Sequence, residues 1–239
     1  MEGLAFAEGA VTRVRREFKL VLGAGEAVAL LERLSNELGG PASCPTLITS
    51  VYFDGPELPL AQRALRQPGS CLKVRTKEYF PDLGGAEGAR VVLEAKREHH
   101  GLTHKKRAWL PRERLRAAVQ GHASVLPLIA NGRLRPVLGV TYVREVYQHT
   151  EAWRVTVDRD IAFYLVTSDV ALSERRVGPE RLGPPLGRDE RVVVEVKHQG
   201  DTLPPWLAGL RERKSPPYSK FTEGMARLME SRVDGAMGG

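Results

Sequence analysis

Cysteine is scarce in this chain of 239 residues, which holds only Cys44 and Cys71. Neither belongs to a Cys-x-x-Cys pair, and no cluster of His and Cys has the spacing of zinc ligands. These absences exclude a disulfide-built fold and a structural zinc site. They predict buried, reduced thiols and a protein of a reducing compartment.

Long apolar runs are lacking as well. No run approaches the ~20 residues that a membrane-spanning helix needs, and residues 1–11 lack the basic and then apolar pattern of a secretory signal. We therefore expect a soluble, cytoplasmic protein, or one held peripherally at the inner face of a membrane through a partner.

Aromatic residues make up only 6% of the chain and are not interleaved with the basic positions, which disfavours a platform for single-stranded nucleic acid. Trp109, Trp153 and Trp206 are predicted to be packing residues. The sequence shows neither a Gly-rich phosphate loop of the Walker type nor a Ser-His-Asp arrangement. No nucleic-acid partner is expected.

Positive charge is abundant, since 36 Lys and Arg outnumber 29 Asp and Glu and give a formal net charge of +7. Such an excess favours an anionic partner, but a solvated basic surface would give the same total. The positions of the charges must therefore decide between these interpretations.

Period-two alternation predicts strands, and helical spacing predicts helices. The predicted strands cover 12–22, 47–54, 71–80, 90–98, 102–110, 135–147, 152–158 (with 161–166 as an extension or a further strand) and 191–197. The predicted helices cover 26–38, 56–66, 111–120, 124–130, 204–213 and 219–230, and 168–189 is predicted to be a surface loop.

Eight main strands joined by short turns predict an α+β fold, a closed eight-stranded antiparallel β-barrel with helices packed outside. Closure would also remove exposed strand edges. Residues 1–239 are predicted to form one domain, with a core over about 12–230 and a loose tail over 231–239.

Charges repeat on alternate positions of strand after strand, while the opposite positions are apolar in several strands. Lys73, Arg75 and Lys77 share one face, and Val192, Val194 and Val196 form an apolar face. The charged faces could point to solvent around a sandwich core, or they could line a barrel lumen. Because the helices need apolar surface to pack on, the lumen is favoured.

A lumen so rich in Lys and Arg needs an anion or paired carboxylates, since like charges at close range repel. A linear polyanion such as a chain of phosphates fits, because Arg grips phosphate oxygens with a two-pronged fork. Glu17, Glu94, Asp158 and Glu195 could hold Mg²⁺ or Mn²⁺, or could neutralise neighbouring cations. Neutralisation is favoured for Glu94, and both roles stay open for Glu195 at this point.

Seven short motifs occur in an order and spacing that are fairly specific. They are Arg16-Glu17-Phe18-Lys19, Ser50-Val51-Tyr52-Phe53-Asp54, Lys73-Val74-Arg75, Glu94-Ala95-Lys96, Tyr142-Val143-Arg144, Val194-Glu195-Val196-Lys197 and Tyr218-Ser219-Lys220-Phe221. In them, over about residues 13–228, the sequence resembles the VTC domain, the catalytic module of polyphosphate polymerases in the triphosphate tunnel superfamily.

The resemblance implies a set of catalytic side chains that contact phosphate: Lys19, Arg63, Lys73, Arg75, Arg144, Arg154 and Lys220. Further phosphate-binding residues are expected at Lys77, Lys96, Lys105, Arg107, Lys197 and Lys214. Metal ligands are expected at Glu195 and Glu17, for Mn²⁺ or Mg²⁺.

Three positions depart from the family pattern. Lys73 stands where Arg is usual, and Pro217 stands where a further lysine is frequent, for which Lys214 is a nearby substitute. Relatives that hydrolyse triphosphate often begin with Glu-x-Glu-x-Lys, whereas this chain has Arg15 at the first glutamate position. That replacement disfavours the hydrolase and cyclase branches.

The implied activity is a polyphosphate polymerase that transfers the γ-phosphate of ATP to inorganic phosphate or to a growing polyphosphate chain. The alternatives are a tripolyphosphatase or nucleoside triphosphatase on the same fold, and a non-catalytic binder of polyphosphate. Related enzymes often work beside membrane proteins, so a membrane-protein partner is a further expectation.

Overall fold

The computed structural model describes residues 16–80, 90–99, 102–121, 134–150, 152–199, 203–213 and 215–237. Its strands are β1 (Arg16–Leu22), β2 (Thr46–Asp54), β3 (Leu72–Phe80), β4 (Arg90–His99), β5 (Leu102–Pro111), β6 (Arg135–Thr150), β7 (Trp153–Tyr164), β8 (Gly187–Asp189) and β9 (Val192–His198). Its α-helices are α1 (Ala24–Leu38), α2 (Pro59–Arg66), α3 (Leu115–Gly121), α4 (Ser168–Ala171), α5 (Pro205–Ala208) and α6 (Lys220–Met237). Short 3-10 turns cover Arg112–Arg114, Pro179–Arg181 and Gly209–Glu212.

All the strands belong to one antiparallel sheet. The strand order is β1-β9-β7-β6-β2-β3-β4-β5, and β8 pairs with β7 off this path. The antiparallel sheet with helices is confirmed, but the described residues contribute nine strands to it instead of the predicted eight. Within the described residues no pairing joins β5 to β1, so the closed barrel is not confirmed.

Apolar residues on alternate positions of β1, β7 and β9 form a core beneath α1. Leu20, Val155 and Val194 lie in this cluster with Leu30 and Leu34 of the helix. The helix begins where Glu26 accepts a hydrogen bond from the backbone N–H of Gly23 (3.2 Å). It ends at Gly39, whose φ of 72° suits glycine best.

The segment 168–189, which the sequence predicted to be a surface loop, contains α4, β8 and buried apolar residues. Val177 and Leu182 enter the core formed by the back faces of β3, β4 and β5. Arg112 fixes the segment, because its side chain donates to the carbonyls of Ala171 (2.7 Å) and Ser173 (2.9 Å). The prediction of a surface loop was wrong, because this segment packs against the back of the sheet. Its Gly, Pro and Arg residues let the chain follow that surface instead of marking an exposed loop.

Helix α6 packs on a third cluster, which includes Phe221, Met225 and Leu228 together with residues of α2, β2 and β6. The Phe221 ring stacks on Tyr52, with the ring centroids 5.0 Å apart. A Cβ at Gly224 would lie 2.5 Å from a methyl carbon of Leu138, so glycine permits this approach.

Tyr52 is directly opposite Arg75 in the register of β2 and β3, so α6 covers part of the face that carries the basic residues. The prediction that the helices pack only outside was therefore wrong for α6.

This helix runs through Met237, beyond residue 230, where the sequence predicted its end. The predicted helix over 124–130 lies outside the described residues. None of the helices in the described ranges is long and apolar enough to span a bilayer.

Replacement of Arg112 by Ala should destabilise the protein strongly. Arg112 is 1% exposed and pairs with Glu78, which is itself buried. The change leaves a buried carboxylate with a weaker set of partners, so we expect the free energy of unfolding to fall by about 3–5 kcal/mol in urea denaturation.

The matched control is Arg116→Ala, which removes an exposed arginine from α3 and should change stability by no more than about 0.5 kcal/mol. Equal effects of the two substitutions would contradict the role assigned to Arg112.

Candidate functional site

One face of the sheet gathers the charged side chains of the strands, and Lys220 at the start of α6 joins them. We call this the basic face. Its basic side chains within the described residues include the following eleven: Lys19, Lys73, Arg75, Lys77, Lys96, Lys105, Arg107, Arg144, Arg154, Lys197 and Lys220. It carries five carboxylates: Glu17, Glu94, Glu98, Asp158 and Glu195. The predicted alternation of charged and apolar positions is confirmed in β1, β3, β4, β7 and β9.

Glu94 is the anchor at the centre of the basic face. It is 1% exposed and accepts hydrogen bonds from Arg75 (2.9 and 2.5 Å) and Arg107 (3.2 Å), and Lys105 lies 2.7 Å away. Burial alone would raise the pKa of Glu94, but these cations lower it well below the usual range. The predicted neutralising role of Glu94 is confirmed.

A second anchor joins β6, β7 and α6. Arg144 donates two hydrogen bonds to Asp158 (2.6 and 2.7 Å), and Lys220 lies 2.6 Å from the same carboxylate. Burial opposes the charge of Asp158, but Lys220 and Arg144 lower its pKa to about 2. The ammonium of Lys220 also lies 4.5 Å from the ring centroid of Tyr142, which adds a cation–π contact.

Glu17 of β1 and Glu195 of β9 lie among lysines. Lys19 is 3.5 Å from Glu17 and 3.8 Å from Glu195, and Lys197 is 3.4 Å from Glu17 and also pairs with Glu195. Burial works against the Glu195 charge, but Lys197 and Lys19 lower its pKa. No group of three or more His, Cys, Asp or Glu in the described residues could hold a metal by itself. Two carboxylates nevertheless suit Mg²⁺, which commonly takes one or two carboxylates and completes its shell with phosphate oxygens and water.

Lysines of β3 and β4 share one carboxylate on the basic face. Lys96 of β4 pairs with Glu98 (2.7 Å), as does Lys73 of β3 (3.6 Å). Burial opposes the charge of Lys96, but Glu98 raises its pKa, and Glu17 and Glu195 contribute as well. The last two residues belong to β1 and β9, at the opposite end of the strand order. Charges from both ends of the strand order therefore act on Lys96.

Lys77 differs from the other cations because no carboxylate of the described residues lies within ion-pair distance of it. It is 5% exposed, and burial, with Arg75, Arg144 and Lys105 nearby, lowers its pKa well below the usual range despite Glu94. Directly opposite in the register, Ser50 is fully buried, and its hydroxyl has no hydrogen-bond partner. This pair is therefore a polar site whose bonding capacity the protein leaves unused.

The remaining predicted site residues lie in different places. Arg154 is opposite Lys197 in the register of β7 and β9. Arg63 lies on α2 and donates to the carbonyl of Ser70 (3.0 Å), so the structure places it at the turn before β3. Lys214 lies outside the described residues.

The sequence reasoning missed a hydrogen-bond network that supports the chain around Lys220. The Tyr218 hydroxyl donates to Asp189 (2.9 Å), and Asp189 also accepts hydrogen bonds from Arg191 (2.8 and 2.7 Å). Arg191 in turn donates to Glu223 of α6 (2.8 Å). Tyr218 was recognised only as part of a motif, and its partner Asp189 lies in the segment predicted to be a loop.

The structure is thus an α+β protein, in which one antiparallel sheet gathers basic side chains on one of its faces. The model of the VTC domain matches residues 14–229. The chain therefore belongs to the VTC domain family, and the resemblance seen in the motifs is confirmed.

A curated relative is subunit 4 of the vacuolar transporter chaperone complex from Trypanosoma brucei brucei (strain 927/4 GUTat10.1), which is 24% identical over 242 residues. The match covers 82% of this chain but 30% of that protein, so the chain spans less than a third of this relative. Among solved structures, a candidate adenylate cyclase from Bacillus halodurans is similar, with a TM-score of 0.53 at 11% identity over 88% of this chain and 97% of that chain. At this identity the likeness shows the fold alone.

Replacement of Lys77 by Met should stabilise the protein in anion-free buffer at pH 7. The pKa of Lys77 lies below its ordinary value of 10.5 in the folded protein, so the folded state binds this proton less tightly than the unfolded state. Stability is therefore lost as the pH falls below 10.5. We expect a melting temperature about 2–4 °C higher for Lys77→Met, with a gain that shrinks as the pH rises towards 10.5.

Thermal unfolding over this pH range measures the effect, and Lys106→Met, at an exposed position of β5, is the control. A lower melting temperature for Lys77→Met at pH 7 would contradict the prediction, because it would mean that Lys77 has an attractive partner in the protein without bound anion.

Proposed function

We propose that this protein is a polyphosphate polymerase that transfers the γ-phosphoryl group of ATP to inorganic phosphate or to the end of a growing polyphosphate. The observation that carries this proposal is the basic face, where at least eleven cations surround five carboxylates within the described residues. Membership of the VTC domain family supports it.

We further propose that the edges of β1 and β5 meet to form a tunnel around the substrate. The influence of Glu17 and Glu195 on Lys96 supports this, since it needs the two ends of the sheet to be close. A tunnel exposes a linear polyanion to cations on every side, and it excludes water that would compete as an acceptor.

In the proposed reaction, an oxygen of the acceptor phosphate attacks the γ-phosphorus of ATP. The bond between the γ-phosphorus and the β–γ bridging oxygen breaks, and ADP leaves with that oxygen. Arg75 and Arg144 offer forks that carboxylates already hold in place, so they can stabilise the transferring group without reorganising. Transfer of this kind needs positioning and charge stabilisation more than covalent help from the protein.

A divalent cation would be held by Glu195, with Glu17 beside it, and would neutralise phosphate charge and orient phosphate oxygens. For such an ion to bind, Lys19 and Lys197 must release part of their contact with these carboxylates.

The state of the acidic groups favours a transferase over a hydrolase. A hydrolase benefits from a base that activates water. Glu94 and Asp158 are buried, are paired with cations and have lowered pKa values, so they are poor bases. A phosphate acceptor is already anionic and needs no such base.

The name of the trypanosomal relative includes a complex, and on that basis we propose that this chain also works with partner subunits, including a membrane protein.

Product analysis tests the proposal directly. Incubation with ATP and Mn²⁺ should give phosphate chains that are long enough to resolve on a gel and that show internal phosphate signals in phosphorus NMR. Release of orthophosphate alone would support a triphosphatase on the same fold. Tight binding of tripolyphosphate without turnover would support a non-catalytic binder.

The substitution Glu195→Gln should raise the Mn²⁺ concentration needed for half-maximal activity by about tenfold or more, because a ligand is lost, while binding of ATP without metal is kept. Glu190→Gln, at an exposed nearby position, is the control and should leave the metal titration unchanged. An unchanged metal titration for Glu195→Gln would contradict the assignment of this ligand.

A further inference from the structure

Trp109 is unusual among the aromatic residues of the described chain, because it alone remains exposed. Its exposed fraction is 49%, whereas Trp153 is buried and Trp206 is half-buried beneath Arg33. Trp109 is therefore not the buried packing residue that the sequence predicted. An exposed indole offers a flat aromatic surface on which another ring can stack.

The position of Trp109 connects it to the basic face. Its neighbours in β5, Ala108 and Leu110, pack into the core behind the sheet. Since successive side chains of a strand alternate between its two faces, Trp109 is on the same face as Lys105 and Arg107. It also lies beside Tyr79 of β3, with the ring centroids 6.2 Å apart and the planes inclined by 31°.

The unused polar pair lies next to these rings. Lys77 is two residues before Tyr79 in β3, and both Lys77 and Trp109 are opposite Val92 in the register. The Cα atoms of Lys77 and Trp109 are therefore two strand spacings apart, about 10 Å. Lys77 lacks a carboxylate partner within the described residues, and the buried hydroxyl of Ser50 has no hydrogen-bond partner.

Two independent features thus lie side by side: an exposed flat apolar surface, and a buried cation and hydroxyl suited to an anion. A molecule that satisfies both has an aromatic ring system joined to a phosphate. We propose that Trp109 and Tyr79 bind the base of a nucleoside triphosphate and that Lys77 and Ser50 bind a phosphoryl group of the same molecule. This inference rests on the proposed use of the basic face for phosphates and adds the orientation of the nucleotide.

The orientation follows from the position of these residues near the ends of their strands. Tyr79 is next to the last residue of β3, and the ion-paired cations Lys73 and Lys96 lie towards the other end of the face. The base is held at the Trp109 end, and the phosphates extend from Lys77 towards Arg75 and Glu94. Stacking tolerates any base, so ATP and GTP share this site.

The test compares ligands with and without a base. Dissociation constants for ATP, GTP and tripolyphosphate are measured for the wild type, Trp109→Ala and Trp109→Phe. We expect Trp109→Ala to weaken ATP and GTP about fivefold or more, in line with the worth of a base–aromatic stack. Trp109→Phe should recover most of this loss, and tripolyphosphate should bind all three proteins equally.

Leu165→Ala removes another exposed apolar side chain, 54% exposed, and is the control that should leave all three ligands unaffected. Indole fluorescence gives a second readout that needs no truncation. ATP should quench the wild type more than tripolyphosphate does, and the extra quenching should vanish in Trp109→Phe.

Each contrary outcome has a distinct meaning. Unchanged ATP binding in Trp109→Ala, with no extra quenching by ATP, would overturn the base site and would identify Trp109 as a surface for something else, such as a protein partner. Equal weakening of ATP and tripolyphosphate would also overturn it, because Trp109 would then act through the basic face. Failure of the wild type to bind tripolyphosphate would instead overturn the proposed function itself.

Discussion

Repulsion between like charges is the constraint on which this structure depends. Lys and Arg side chains from seven strands and one helix lie on one face, and buried carboxylates keep them together. Glu94 holds Arg75, Lys105 and Arg107, while Asp158 holds Arg144 and Lys220. A buried carboxylate without such partners would cost several kcal/mol, so each anchor depends on its cations as much as they depend on it.

Apolar packing on the opposite face of the sheet stabilises the fold and offsets the cost of gathering like charges. Valines and leucines at alternate positions pack beneath α1 on one side and beneath the 168–182 segment on the other. The two faces of a strand are chemically independent because the side-chain period is two. A chain can therefore place charge on one face without interrupting the core on the other, provided that the register is fixed. The Arg112–Glu78 pair helps to fix the register, because it ties β3 to the residues that cover the back face of this strand.

The period-two pattern was enough to predict the strands other than β8 and the strand residues of the basic face, since alternation is a local property. Curvature and closure are not local, so the sequence could not tell whether β5 meets β1. The side on which α6 packs was also beyond reach, because it depends on Gly224 approaching Leu138, far away in the chain. The burial of 168–182 was missed for the same reason, as Arg112 finds its acceptors about 60 residues further along the chain. Trp109 was predicted only to be a packing residue, because alternation cannot show whether a ring stays exposed.

The pairing of cations with carboxylates has opposite consequences for affinity and for rate. Arg75 and Arg144 already donate to carboxylates, so a phosphate must share them with existing partners, and each new contact contributes less to binding. The same pairing fixes their positions before the substrate arrives, which removes the cost of reorganisation when charge moves during transfer. Lys77 is the opposite case, since burial without a partner makes its contact with an anion worth more. A site built from both kinds of cation can hold a substrate firmly at one point and stabilise its reaction at another.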